Sequence, residues 1–132
     1  MSTLVQQSVF ISYRRDTPFH TRAVYQYLSS RGYDVFMDVE RLPSGSFADV
    51  ILGEIAARAH FVVILTPTAL NRCHEPGDWL RREIEHAIET RRNIVPLMFD
   101  GFTYTAAAPK LTGRLAMLAS YNSITVHPGY FE

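Results

Sequence analysis

The chain has 132 residues, enough for one domain with a core of its own and too few for two. Apolar residues make up 47% and charged residues 20%, and the 13 Lys plus Arg balance the 13 Asp plus Glu, so no overall basic field draws in nucleic acid or an anionic membrane. The single cysteine, Cys73, excludes an internal disulfide and fits a reducing compartment; the opening "MSTLVQQ" lacks signal-peptide character, and no apolar run approaches the roughly 18 residues of a spanning helix. A soluble, cytoplasmic single domain over 1–132, with its core at 8–127, is expected.

Along the chain, short apolar runs alternate with longer amphipathic ones. "SVFISY" (8–13) is a compact β run. "TPFHTRAVYQYLSSRG" (17–32) reads as a helix, with Thr17 able to cap it, Pro18 suited to its first turn and Gly32 to its end. "YDVFMD" (33–38) alternates as a strand does, and "VERLPSG" (39–45) is a loop by composition. "SFADVILGEIAARA" (46–59) is helical, with Ser46 and Asp49 spaced as in a capping box. "HFVVILT" (60–66) has the continuous apolar character of a strand buried on both faces. After a long connection (67–78), a helix runs to about residue 91. "NIVPLMF" (93–99) is a further strand, near an edge by its Pro96. A weaker helix around 106–119 leads to a last strand, "SITVH" (123–127).

Five strands alternating with helices predict an α/β, flavodoxin-like fold: a five-stranded parallel sheet in the order 2-1-3-4-5, with helices on both faces. In that order ligands bind at the carboxyl ends of the strands, where strands 1 and 3 diverge. The loop after strand 1 carries Arg14, Arg15 and Asp16, and two guanidinium groups there suit a phosphate. The connection after strand 3 delivers "GDWLRREIEHAI" (77–88). In that helix Leu80, Ile84, Ala87 and Ile88 form an apolar stripe. Trp79 and Glu83, four residues apart, share a face at the edge of the stripe and open onto the crevice. Glu54 lies on a helix that no crevice loop reaches. Glu85 and Glu89 point away from the stripe and are expected in solvent.

Several chemistries are excluded by their missing motifs. No GxGxxG follows strand 1, no GxxxxGK[ST] occurs, and no GxSxG elbow is present. Cys73-His74-Glu75 has no second cysteine or suitably spaced histidine, so no metal site is expected. A receiver domain needs an acidic pair after strand 1 and an Asp closing strand 3; "YRRD" and "LTP" stand there instead.

At "VFISYRR" (9–15), "GYDVFMDVERLPSGSF" (32–47), "DWLRREI" (78–84) and "NIVPLMFDGF" (93–102), matched in order and spacing, the chain resembles the TIR (Toll/interleukin-1 receptor) domain family over residues 8 to about 127. The likeness is greatest to the type that cleaves NAD, whose animal axon-degeneration member and bacterial relatives carry a glutamate four residues after a tryptophan. The resemblance implies that Glu83 is catalytic, that Arg14 and Arg15 border the nucleotide pocket, that Gly45 and Phe47 gate and line it from the loop, and that Trp79 forms its wall. It implies NAD as substrate with no resident cofactor, nicotinamide as one product, and ADP-ribose or a cyclic isomer as the other. It also implies partners of the same family, in a homo-oligomer or filament that completes the pocket. Other TIR domains only assemble signalling complexes, so a non-catalytic scaffold, or a module that senses NAD without cleaving it, remains open here. The family closes with a helix after the fifth strand. This chain ends at "HPGYFE" (127–132), where that helix would begin, and is expected to be truncated there.

Overall fold

A computed structural model describes residues 6–15, 18–37, 45–75 and 77–126, with positions 45–47 described in their backbone only. Strand β1 (Ser8–Ser12) is followed by α1 (Pro18–Ser30), β2 (Asp34–Met37), α2 (Gly45–Ala57), β3 (His60–Leu65), α3 (Trp79–Glu89) and β4 (Asn93–Met98). A one-turn helix α4 (Tyr104–Ala107), two 3-10 turns (Ala108–Lys110 and Gly113–Ser120) and β5 (Ile124–Thr125) complete the described chain. All strand pairs are parallel and the sheet order is β2-β1-β3-β4-β5, as the alternation of elements predicts.

Strand alternation sorts the core into two layers. Phe10, Phe61, Val63 and Leu65 point to the face covered by α2 and α3, where they meet Ile51, Ile55, Leu80 and Ile84. Val9, Ile11, Val62 and Ile64 point to the opposite face, against Val24 and Leu28 of α1. β3 is buried from Phe61 through Leu65, which explains its unbroken apolar run. The next residues of β1 continue the alternation, so Ser12 and Arg14 aim at the α3 side and Tyr13 packs on the α1 side.

Pro96 shows how the sheet accommodates a residue without an N–H. Asn93 N and Phe99 N donate toward β3, to Ala59 O and Leu65 O, so by the two-residue period Pro96 turns its nitrogen toward β5. Pairing with β5 begins only at Leu97, and no ladder bond is forfeited. The end of α1 follows the expectation for Gly32: at φ 87 it lets its own N–H reach Ser29 O and the N–H of Tyr33 reach Leu28 O, both at 3.1 Å, in a Schellman arrangement.

Three expectations need correction. The helix expected around 106–119 is broken into α4 and two 3-10 turns, because Pro109 lacks a donor and Gly113 turns left-handed at φ 57. α3 stops at Glu89, two residues early, where Arg91 adopts φ 57. Gly45, expected to end a loop, is the first residue of α2. Thr17, most of the 39–45 loop, the Ser46 side chain and the 127–132 terminus lie outside the described detail.

Candidate functional site

Helix α3 begins at Asp78, whose carboxylate caps it by accepting the N–H of Arg81 at 3.1 Å. One face of the helix then buries Leu80, Ile84 and Ala87, each at most 1% exposed, and this anchors the helix on the sheet. Glu83 lies on the same buried face and is 6% exposed. It does not sit against bare hydrocarbon: Ser12, the last residue of β1 and 1% exposed, donates its hydroxyl to Glu83 Oε1 at 2.6 Å. That length falls within the range of a charge-assisted hydrogen bond. The carboxylate is therefore presented at the carboxyl end of the strand where β1 and β3 diverge, the switch point of the sheet.

Trp79, first residue of α3, is half-buried against the core, and the Arg82 guanidinium lies 4.9 Å from its ring centroid. Trp79 lines a cleft of about 220 Å³ together with Arg14, Arg15, Arg72, Glu75, Gly77 and Asp78. Three guanidinium groups and one aromatic ring thus share a mouth with two carboxylates. A larger apolar cavity, about 300 Å³, lies on the other face of the sheet between α1 and β3, β4 and β5, away from this chemistry.

Arg14 borders this cleft and is also held from within the protein. Its guanidinium grips Asp78 with both arms, Nη1 to Oδ1 at 2.6 Å and Nη2 to Oδ2 at 3.1 Å. Nε and Nη2 also donate to Ala69 O, at 3.0 and 2.8 Å, and Nη2 lies 3.7 Å from Cys73 Sγ. The planar fork matches a carboxylate as well as a phosphate, and Asp78 is the nearer anion. Burial alone would raise the Asp78 carboxyl, but the Arg14 hydrogen bonds, the Arg81 N–H and the Arg14 charge outweigh it and hold it below the ordinary carboxylate value. Cys73 moves the other way: burial, reinforced by the Asp78 charge, pushes its thiol up to about 12.

Of the residues singled out from the sequence, Arg14, Arg15 and Trp79 meet at one cleft, and Glu83 faces Ser12 on the same helix as Trp79. Gly45 is placed in α2 by its backbone, and the Phe47 side chain lies outside the described detail. Glu54 pairs with Arg58 at 3.0 Å, while Glu85 pairs with Arg81 and Glu89 with Arg114 rather than meeting only solvent. Three site residues escaped the sequence reading: Ser12, Asp78 and Arg72. Asp78 was legible in principle as a capping residue directly before the helix, and Ser12 as the neighbour on the same face as Arg14. Arg72 carried no local signal.

The chain is 34% identical over 123 residues to the NAD(+) hydrolase tir-1 of Caenorhabditis elegans, covering 90% of this chain and 12% of that protein. It is 35% identical over 120 residues to the NAD(+) hydrolase sarm1 of Drosophila melanogaster, with 88% and 9% covered. It is 35% identical over 128 residues to the NAD(+) hydrolase SARM1 of Danio rerio, with 94% and 18% covered. The chain thus spans less than a fifth of the length of these relatives. Two solved structures share its fold. A metazoan TIR-STING receptor from C. gigas superposes with a TM-score of 0.68 at 22% identity, covering 96% of this chain and 37% of that one. The TIR domains of the activated Roq1 resistosome superpose with a TM-score of 0.59 at 21% identity, covering 86% and 68%. A family model described as TIR domain matches residues 9–129, which takes in all of the sheet but Ser8, the Ser12–Glu83 contact and the arginine-lined cleft, and the chain belongs to that family.

Proposed function

We propose that this domain cleaves the bond between nicotinamide and ribose in NAD, releasing nicotinamide and either ADP-ribose or a cyclic isomer of it. The observation that carries the reading is the buried Glu83 carboxylate, oriented by Ser12 at 2.6 Å and set one helical turn from Trp79. The three relatives named as NAD(+) hydrolases support it.

The chemistry asks little of the protein. The nicotinamide ring is a cation in NAD, so when its bond to the anomeric carbon breaks, the electron pair neutralises the ring and no acid is needed to protonate the leaving group. The ribose becomes an oxocarbenium ion. A single fixed carboxylate stabilises that charge and accepts hydrogen bonds from the ribose hydroxyls, which strengthen as the charge develops. Water then adds to the anomeric carbon and loses a proton, giving ADP-ribose. Attack by a nucleophile of the same molecule gives the cyclic product. Trp79 offers a ring face for stacking, worth about 1 kcal/mol, and Gly45 and Phe47, in the first turn of α2, keep the gating and lining roles that family resemblance gives them. Arg15 and Arg72, at the cleft mouth, are assigned the diphosphate.

NAD is the substrate, and no resident cofactor, nucleic acid or membrane enters the scheme. The reduced thiol of Cys73 fits action in the cytoplasm. Self-association is part of the proposal: head-to-tail contacts between copies would complete the pocket and make turnover rise faster than protein concentration. A second reading, a non-catalytic assembly module, is favoured by the protein contacts that already engage Glu83 and Arg14. Chromatography of NAD incubated with a protein dilution series separates the two. Nicotinamide rising steeply with concentration supports cleavage. Intact NAD at the highest concentration, with self-association preserved, supports the module.

A further inference from the structure

We propose that Arg14 and Asp78 form a positioning clamp that, with the Ser12–Glu83 contact, sets the height and rotation of helix α3 against the end of β1. Ser12 and Arg14 are two residues apart and point to the same side of the strand. Each meets α3 at a different level: Arg14 holds Asp78 at the cap through two bonds of 2.6 and 3.1 Å, and Ser12 holds Glu83 at 2.6 Å. Five residues of helix separate the two contacts, a rise of about 7.5 Å. The apolar face seats α3 on the sheet, and one polar contact would leave it free to turn on that seat. Two contacts so far apart fix it.

The connection from β3 to α3 explains the need. It runs from Thr66 to Asp78, long for a connection with no helix or strand of its own. Arg14 staples it near its start through Ala69 O, near its middle beside Cys73 Sγ, and at its end through Asp78. Arg81 continues the tie outward, donating to Cys73 O at 3.0 Å and to Thr112 Oγ1 at 2.9 Å. Asp78 thereby caps α3, accepts Arg14 and precedes Trp79, so a shift at Asp78 moves Trp79 directly and Glu83 through the helix. Arg14 and Asp78 act on the reaction through these two side chains and are positioning residues. This part of the inference rests on Glu83 being the catalytic carboxylate.

The test compares Arg14→Lys, which keeps the charge but not the fork, with Asp78→Asn, which keeps a good capping group but not the charge. Two readouts are taken on each variant and on the double variant: kcat and KM for nicotinamide release, and the emission and acrylamide quenching of Trp79, the only tryptophan. The clamp predicts a fall in kcat of about 10- to 100-fold in each single variant, a KM within about 3-fold of wild type, and a double variant no worse than either. It predicts altered Trp79 quenching in all three. A raised KM in Arg14→Lys with unchanged constants in Asp78→Asn would assign Arg14 to substrate and overturn the clamp, as would unaltered Trp79 quenching in both. If either variant melts outright, Asp78→Ser supplies a capping hydroxyl in its place. Should wild type release no nicotinamide, altered Trp79 quenching in the variants still upholds the clamp while the assignment of NAD cleavage fails.

Discussion

Replacing Ser12 with alanine removes one oxygen from a site that is 1% exposed and leaves the packing around it nearly unchanged. What it removes is the 2.6 Å hydrogen bond to Glu83 Oε1. A hydrogen bond to a charged group contributes about 1.5–3 kcal/mol, and a buried acceptor stripped of its donor keeps its desolvation cost. Glu83 has further interactions, so the lower end applies, about 1.5 kcal/mol. Were all of that lost from the transition state, kcat would fall about 10-fold; were all of it lost from folding, Tm would fall by about 5 °C for a domain of this size. The loss divides between the two, and both are measurable on one preparation, nicotinamide release for the first and calorimetry for the second. Ser12→Ala with wild-type kcat and wild-type Tm would show that the hydroxyl neither orients nor satisfies Glu83, and the reasoning from its geometry would fail.

Other expectations follow from the same geometry. Asp78 has a folded pKa below its ordinary 3.8, so its contribution to stability is fully present above that value and is lost as pH falls through the folded value. Denaturant titrations should therefore find Asp78→Asn less stable than wild type at neutral pH, with the difference shrinking in acid; a constant difference would contradict the pairing with Arg14. Cys73, fully buried and with its thiol raised to about 12, should resist a thiol-specific disulfide reagent at pH 8 and react only at the rate of unfolding, whereas rapid labelling of the native protein would contradict its burial. Gly113 sits at φ 57 with Arg81 Nη2 only 3.1 Å from where a Cβ would stand, so Gly113→Ala should destabilise by about 1 kcal/mol or more and disturb the Arg81 contacts with Thr112. An unchanged melting curve would count against that placement.

Much of the fold could be read from the pattern of apolar residues. β3 announces itself as a doubly buried strand because both of its faces are covered, and α3 because Leu80, Ile84 and Ala87 recur at helical spacing over a single anchored face. The segment after β4 could not be read in this way. Its apolar residues Leu115 and Leu118 are buried, but at the three-residue spacing of a 3-10 turn, and Pro109 and Gly113 break the longer helix that composition alone favours. In the site, Glu83 and Trp79 were visible as a pair on one helical face. The partner of Glu83 was not, since Ser12 lies 71 residues away and a serine at the end of a strand looks like any other. The protein partner of Arg14 was hidden for a similar reason. A guanidinium fork fits a phosphate and a carboxylate equally, and the carboxylate that claims it comes 64 residues later.

The central claim is that one fixed carboxylate stabilises the ribose cation, and Glu83→Gln tests it most directly. Glutamine keeps the size of the side chain and an oxygen for Ser12 but carries no charge, so the fold should persist. Nicotinamide release from NAD, measured on concentrated protein of confirmed Tm, should fall by about 100-fold or more. Release at the wild-type rate from the folded variant would contradict the account.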